Sequence, residues 1–185
     1  MTNESQMANT FEKCSVEVLL SGEAIQRRIS DIAAEISKDF KDKDALIIAV
    51  LKGSFVFCAD LIRKLNLNIA VDFISLSSYS GTSPDGRVNV IAGLKETPEG
   101  RDVIIVEDIV DTGHTLDFLL KELSLKKPKS ISTCVLLDKK CARVKQVPVE
   151  YVCFEVGSEF VVGYGLDYNG FYRGLPYIGI LKDND

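Results

Sequence analysis

The sequence predicts an α/β domain in which a central, mainly parallel sheet is flanked by helices. Two observations lead there. The middle of the chain alternates apolar strand-like runs with amphipathic helical segments, the order expected of a parallel sheet with crossover helices. The strand-like runs "ALIIAVL" (45–51) and "VIIV" (103–106) are apolar on both faces, as strands covered on both sides must be. In such sheets ligands gather at the carboxyl ends of the strands.

The elements follow in order. "SGEAIQRRISDIAAEISKDF" (21–40) reads as a helix, with Ser21 as its cap and Ile25, Ile29, Ile32 and Ile36 at helical spacing. "ALIIAVL" is a buried strand that turns through Lys52 and Gly53 into a second helix, "SFVFCADLIRKL". "IAVDFISL" (69–76) is a strand, and "SSYSGTSPDGR" (77–87), small and polar apart from one tyrosine, is an exposed loop. "VIIV" leads into a helix whose buried face carries Leu116, Leu119, Leu120 and Leu123, and "SISTCVLL" (130–137) is the next strand. The last third, with "EYVCFEV", "EFVVGYG" and "LPYIGIL", is strand-like and rich in loops. We assign residues 1–185 to one domain, with a core over about 40–140 and a small hood from the terminal segments, about 1–20 and 150–185.

Composition narrows the function classes. The net charge of −5 argues against a nucleic-acid partner held by bulk charge. The longest apolar run is too short to span a membrane. The polar start "MTNESQMANT" has no signal-peptide pattern, and five cysteines form no CxxC pair; a reduced, cytoplasmic protein with mostly buried thiols is expected. There is no GxxxxGK[ST], no GxGxxG after a strand and no GxSxG, and the one histidine, His114, leaves no HExxH. P-loop nucleotidases, dinucleotide-binding folds, α/β-hydrolases and zinc proteases are thereby disfavoured.

The segment that carries chemistry is "VIIVEDIVDTGHTL" (103–116). An apolar strand meets two acids, Glu107 and Asp108, then a turn with Asp111, Thr112, Gly113 and Thr115 opens a helix. Free amides at a helix start, with the helix dipole, favour a phosphate. Neighbouring carboxylates at a strand end can accept hydrogen bonds from a vicinal diol, directly or through magnesium, which also relieves their repulsion. A ribose 5-phosphate satisfies both demands. The plainer reading is a helix start with acids at its favourable end.

"IVEDIVDTGHT" closely resembles the phosphoribosyl-pyrophosphate-binding motif of phosphoribosyltransferases at every chemical position. "VLKGSFVFCADL" (50–61), "VDFISLSSYSG" (71–81), "LLDKK" (136–140) and "FVVGYGLDYNGFYRGLPYIG" (160–179) resemble hypoxanthine-guanine phosphoribosyltransferases, in order and at similar intervals.

The resemblance implies transfer of a 5-phosphoribosyl group from phosphoribosyl pyrophosphate to hypoxanthine and guanine, with magnesium as cofactor, small-molecule substrates as partners and a homodimer or homotetramer as assembly. It implies that Leu51, Lys52 and Gly53 form a pyrophosphate-binding loop, whose Leu-Lys peptide is often cis in this family; the sequence leaves that isomer open here. Glu107 and Asp108 would hold the ribose hydroxyls, and Asp111, Thr112, Gly113, His114 and Thr115 the 5-phosphate. Lys139 would donate to the purine 6-oxo group, Phe160 stack on the base and Val161 read its edge through the backbone. Arg173 would reach pyrophosphate, and Glu107, Asp108 and Asp167 would serve the metal. Ser78 and Tyr79 would belong to a lid, and Asp111 is the candidate acid/base residue.

Each role has a plainer competitor at this point: Lys139 as a solvated charge, Phe160 as core, Asp167 and Arg173 as surface charges. Two alternative functions also stand beside the first. One is a xanthine- or guanine-preferring enzyme, the other a regulator that senses phosphoribosyl pyrophosphate on the same fold.

Overall fold

A computed structural model describes residues 14–78 and 88–183. Ser21 separates its first strand, β1 (Cys14–Leu20), from helix α1 (Gly22–Asp39), and its hydroxyl accepts the Ala24 N–H at 3.2 Å. Ile25, Ile29, Ile32 and Ile36 are all buried, as their spacing requires. Each contributes about 1.5–3 kcal/mol relative to exposure, so packing rather than propensity holds this helix.

The chain continues through β2 (Ala45–Leu51), α2 (Phe55–Lys64), β3 (Ala70–Ser78), β4 (Val88–Ala92), β5 (Asp102–Val110), α3 (His114–Ser124), β6 (Ser130–Asp138) and β7 (Tyr151–Glu155). A single 3₁₀ turn, Lys140–Ala142, follows β6. The main sheet has six strands in the order β4-β3-β2-β5-β6-β7. All neighbours run parallel except β3 and β4.

Residues 45, 47 and 49 of β2 and 104 and 106 of β5 join a core with α1 and α2 on one face. Residues 46, 48 and 50, with 103 and 105, join a second core with α3 on the other. The two-residue period of a strand thus divides each apolar run between two cores.

A second sheet of three antiparallel strands, in the order β1-β9-β8, unites the two ends of the described chain through β8 (Val161–Val162) and β9 (Ile178–Asp183). β7 belongs to the main sheet, so the small sheet takes only its later strands from the C-terminal third. No helix among the described residues is long and apolar enough to cross a membrane.

Three elements differ from expectation. β3 runs on through Ser77 and Ser78, which pair with Asn89 and Val88 of β4, an edge strand absent from the sequence reading. Ser77 and Ser78 therefore belong to a strand and not to the loop expected at 77–87; residues 79–87, Tyr79 among them, lie outside the described residues. β5 does not stop at Val106. Its parallel register with β6 continues through Glu107↔Val135 to Val110↔Asp138, so both acids lie inside the strand. Cys58, Cys134 and Cys153 are buried thiols as expected, while Cys141 is exposed.

Candidate active site

The strand order reverses between β2 and β5: β2 is followed by β3 on one side, whereas β5 leads to β6 and β7 on the other. A crevice opens at the carboxyl ends of the strands at such a point. Residues 52–54 leave β2 there, and residues 107–110 end β5 before the turn at 111–113. The two segments touch. A Cβ built on Gly53 would stand 1.6 Å from Asp108 Oδ2, so the Asp108 carboxylate occupies the space that any other residue would need. The Leu51–Lys52 peptide bond just before it is cis.

Glu107 is only 7% exposed, and its Oε2 is buried with no hydrogen-bond partner. Burial pushes the Glu107 carboxyl well above its ordinary value, and the charges of Asp108 and Asp111 push the same way. Asp108 is raised too, again first by burial; the Glu107 carboxyl, two backbone N–H groups and the Arg173 charge pull it partly back. The two acids thus hold a proton more firmly than isolated carboxylates do. An orphaned carboxylate oxygen beside a second carboxyl is chemistry suited to a hard divalent cation. Among the described residues no three metal-ligating side chains converge into a cage. A cation that binds here would therefore complete its shell with water and substrate oxygens, as magnesium commonly does.

Three cavities meet at these acids. The first, about 260 Å³, is lined by Asp108, Ile109, Asp111, Lys139, Glu159, Phe160, Val161, Leu166 and Asp167. Phe160 is 53% exposed and meets Tyr168 edge-on at 5.7 Å, so it is no core residue. Lys139 reaches across the mouth of this cavity to donate to the Glu159 carbonyl at 2.8 Å. An aromatic face, a lysine donor and the backbone of a short strand suit a flat heterocycle with an acceptor on its edge.

The second cavity, about 440 Å³, takes in Lys52, Gly53, Glu107, Asp108, Thr115, Asp167 and Arg173. Arg173 is aimed by its own loop: Nη1 donates to the Gly165 carbonyl at 2.6 Å and Nη2 pairs with Asp167 at 2.5 Å. That loop abuts the β2 exit, since a Cβ on Gly165 (φ +104°) would meet the Gly53 carbonyl at 2.1 Å. Tyr164 (φ +51°) fastens the same turn to the helices. Its hydroxyl donates to Asp60 of α2 and accepts from Gln26 of α1 at 2.9 Å.

The third cavity, about 20 Å³, lies under the turn, between Glu107, Asp111, Gly113 and Thr115. Gly113, at φ +85°, directly precedes α3 and leaves the first-turn amides of the helix without intrahelical partners.

Of the expected residues, Lys52, Gly53, Glu107, Asp108, Asp111, Gly113, Thr115, Lys139, Phe160, Val161, Asp167 and Arg173 line these three cavities. Thr112 and His114 belong to the same turn but line none of them. Ser78 ends β3, and Tyr79 lies outside the described residues. Arg143 was missed, and Asp138 was noted only as a neighbour that could modulate the Lys139 charge or the purine preference. They form a buried ion pair just behind the turn, and "KKCARVK" carries no periodic pattern that marks it.

Comparison with known proteins identifies the family of this fold. A family model for the phosphoribosyl transferase domain matches residues 15–169. The hypoxanthine phosphoribosyltransferase of Escherichia coli K12 is 45% identical over 170 residues, which is 90% of this chain and 96% of that one. The hypoxanthine-guanine phosphoribosyltransferase of Bacillus subtilis 168 is 44% identical over 167 residues, 90% of this chain and 93% of the relative. A solved hypoxanthine phosphoribosyltransferase from Staphylococcus aureus superposes with a TM-score of 0.86 at 42% identity, covering 90% of this chain and 91% of the other.

Proposed function

The chain belongs to the phosphoribosyl transferase domain family, and from that premise we propose that it is a hypoxanthine phosphoribosyltransferase of purine salvage. It transfers the 5-phosphoribosyl group of phosphoribosyl pyrophosphate to hypoxanthine, and to guanine, and releases pyrophosphate. One observation carries the reading: Asp108 and Asp167 line both the aromatic cavity and the cationic one. A base in the first and a pyrophosphate in the second would face each other across these acids, where a ribose must sit.

The 6-oxopurine lies against Phe160 with its oxo group toward Lys139. Adenine would present an amino donor to the lysine donor, a mismatch that costs orders of magnitude in rate. The ribose hydroxyls are held at Glu107 and Asp108. The 5-phosphate rests on the turn from Asp111 to Thr115, at the positive end of α3. Lys52 and Arg173 neutralise pyrophosphate.

Purine nitrogen 9 then attacks the anomeric carbon as the bond from that carbon to the pyrophosphate oxygen breaks. Asp111 accepts the proton leaving nitrogen 7; it lines the base cavity and the phosphate cavity alike. Glu107, Asp108 and Asp167 are the groups that would hold magnesium, which when bound supplies charge neutralisation for the leaving group. Positioning and electrostatics account for the rate, and no covalent enzyme intermediate is required.

The test is nucleotide formation from phosphoribosyl pyrophosphate and magnesium with hypoxanthine, guanine, xanthine or adenine. IMP and GMP should form quickly and AMP at least about a thousandfold more slowly. Absence of nucleotide with every base would overturn the proposal.

A further inference from the structure

Asp138 ends β6 opposite Val110 of β5, and the residue is only 3% exposed. It is absent from the lining of the aromatic cavity, to which its neighbour Lys139 belongs. Its partner is Arg143, whose side chain is 9% exposed, just past the 3₁₀ turn. Arg143 does more than neutralise this acid. Its Nε donates to the Asp111 carbonyl at 3.1 Å and its Nη2 to the Val110 carbonyl at 3.4 Å. The next two residues continue the pattern, with the N–H groups of Val144 and Lys145 both donating to the Thr112 carbonyl, at 3.0 and 2.8 Å.

Residues 143–145 therefore hold the carbonyls of Asp111 and Thr112 and help to hold that of Val110, which also accepts the Lys139 N–H at 2.9 Å. A trans peptide is planar, so each carbonyl and the N–H that follows it point in opposite directions. Anchoring these carbonyls leaves the N–H groups of Asp111 and Gly113 on the side away from residues 143–145, while that of Thr112 donates to the Asp111 carboxylate. The packing admits no slack: a Cβ on Gly113 would meet the Lys145 carbonyl at 2.5 Å.

We propose that Asp138 and Arg143 are positioning residues that anchor the phosphate-binding turn from behind and thereby set the affinity for phosphoribosyl pyrophosphate, not the choice of purine. The inference rests on the reading of 111–115 as the 5-phosphate site. Arginine is needed because a planar guanidinium serves two carbonyls and a carboxylate at once, whereas a lysine ammonium does not match that fork.

The experiment measures calorimetric affinity for magnesium–phosphoribosyl pyrophosphate, KM for each substrate and melting temperature. It compares Arg143→Lys, the paired Asp138→Leu/Arg143→Met and Val144→Pro. Removing both ions leaves no uncompensated buried charge, so the paired variant should melt within a few degrees of wild type. It should nevertheless bind phosphoribosyl pyrophosphate about 10–100-fold more weakly, with KM for hypoxanthine at saturating cosubstrate within about threefold. Arg143→Lys should fall between it and wild type. Val144→Pro removes one donor to Thr112 without touching a charge, and Arg143 already has the extended backbone (φ −66°, ψ 120°) that suits a following proline. It should weaken binding by about three- to tenfold.

Affinity within threefold of wild type in the folded paired variant overturns the proposal. So does an unchanged affinity in Val144→Pro, which decides the matter if the paired variant does not fold. A shift confined to the hypoxanthine KM also overturns it. Failure of the wild type itself to bind phosphoribosyl pyrophosphate overturns the functional reading, and this inference falls with it.

Discussion

Glu107→Gln should make the free protein more stable and the enzyme worse, and both effects follow from one oxygen atom. Glu107 Oε2 is buried without a partner beside the Asp108 carboxyl. A buried polar group left without a partner costs roughly 1–3 kcal/mol. Glutamine has nearly the same shape, carries no charge, and can donate an N–H to Asp108. Relief of that cost in a chain of 185 residues corresponds to roughly 2–12 °C in melting temperature.

The pH dependence carries the sign. The folded-state pKa of Glu107 lies well above its ordinary 4.5, so above pH 4.5 the folded protein holds a proton that the unfolded chain has released. Stability attributable to this group therefore falls as pH rises from about 4.5 toward the folded pKa. Near pH 4 wild type and variant should melt at similar temperatures, and the advantage of Glu107→Gln should grow toward pH 8. Scanning calorimetry of ligand-free protein in chelator reads this directly. Titration with magnesium and phosphoribosyl pyrophosphate should show binding weakened by about tenfold or more, because a charge-assisted acceptor for the ribose or metal is gone. A variant that melts no higher than wild type at pH 8, or whose advantage does not vary with pH, refutes the argument. Unchanged affinity refutes the assignment of Glu107 to the sugar and metal.

Asp111→Asn should lower kcat by about 10²–10⁴ while the protein stays folded; turnover within tenfold of wild type removes Asp111 as the proton acceptor. Lys139→Met should raise KM for hypoxanthine by about 10–100-fold and leave KM for phosphoribosyl pyrophosphate nearly unchanged, a split that steady-state kinetics resolves. Gly53→Ala places a methyl group 1.6 Å from Asp108 Oδ2, so backbone and carboxylate must part. A loss of about 1–3 kcal/mol in denaturant unfolding, with turnover reduced more than the melting curve accounts for, is the expected outcome.

What the sequence disclosed depended on how local the determinant was. Ser21 and the isoleucines of α1 act within a few residues of one another, so spacing sufficed. The two cores could be read from β2 and β5 because apolar side chains on both faces have no use in a half-exposed strand. The end of β5 could not be read that way. Acids usually terminate a buried strand, but pairing with β6 carries β5 on to Val110 regardless of Glu107 and Asp108. β4 was missed because a short antiparallel edge strand depends on β3 beside it rather than on its own pattern. The candidate site residues stand in recognisable motifs, whereas Arg143 stands in a basic turn with no pattern that marks it. Only the fold reveals that it lies under Val110 and Asp111.

An acidic chain that takes a polyanionic substrate must keep its own negative charge out of the way, and the fold does so by pairing. Asp167 is tied to Arg173 and Asp138 to Arg143, so each of these acids is neutralised by a cation that also fixes the backbone of a binding loop. Glu107 and Asp108 have no such arrangement, and both are raised by burial. The substrate proposed for this site brings what they lack, ribose hydroxyls as donors and a divalent cation with its pyrophosphate. The anion cradle proposed to start three residues after Asp108 is spared their charge because it is made of amides, which lie opposite carbonyls anchored by residues 143–145. Acids and phosphate site can then adjoin in sequence because the backbone, not the side chains, turns from one to the other.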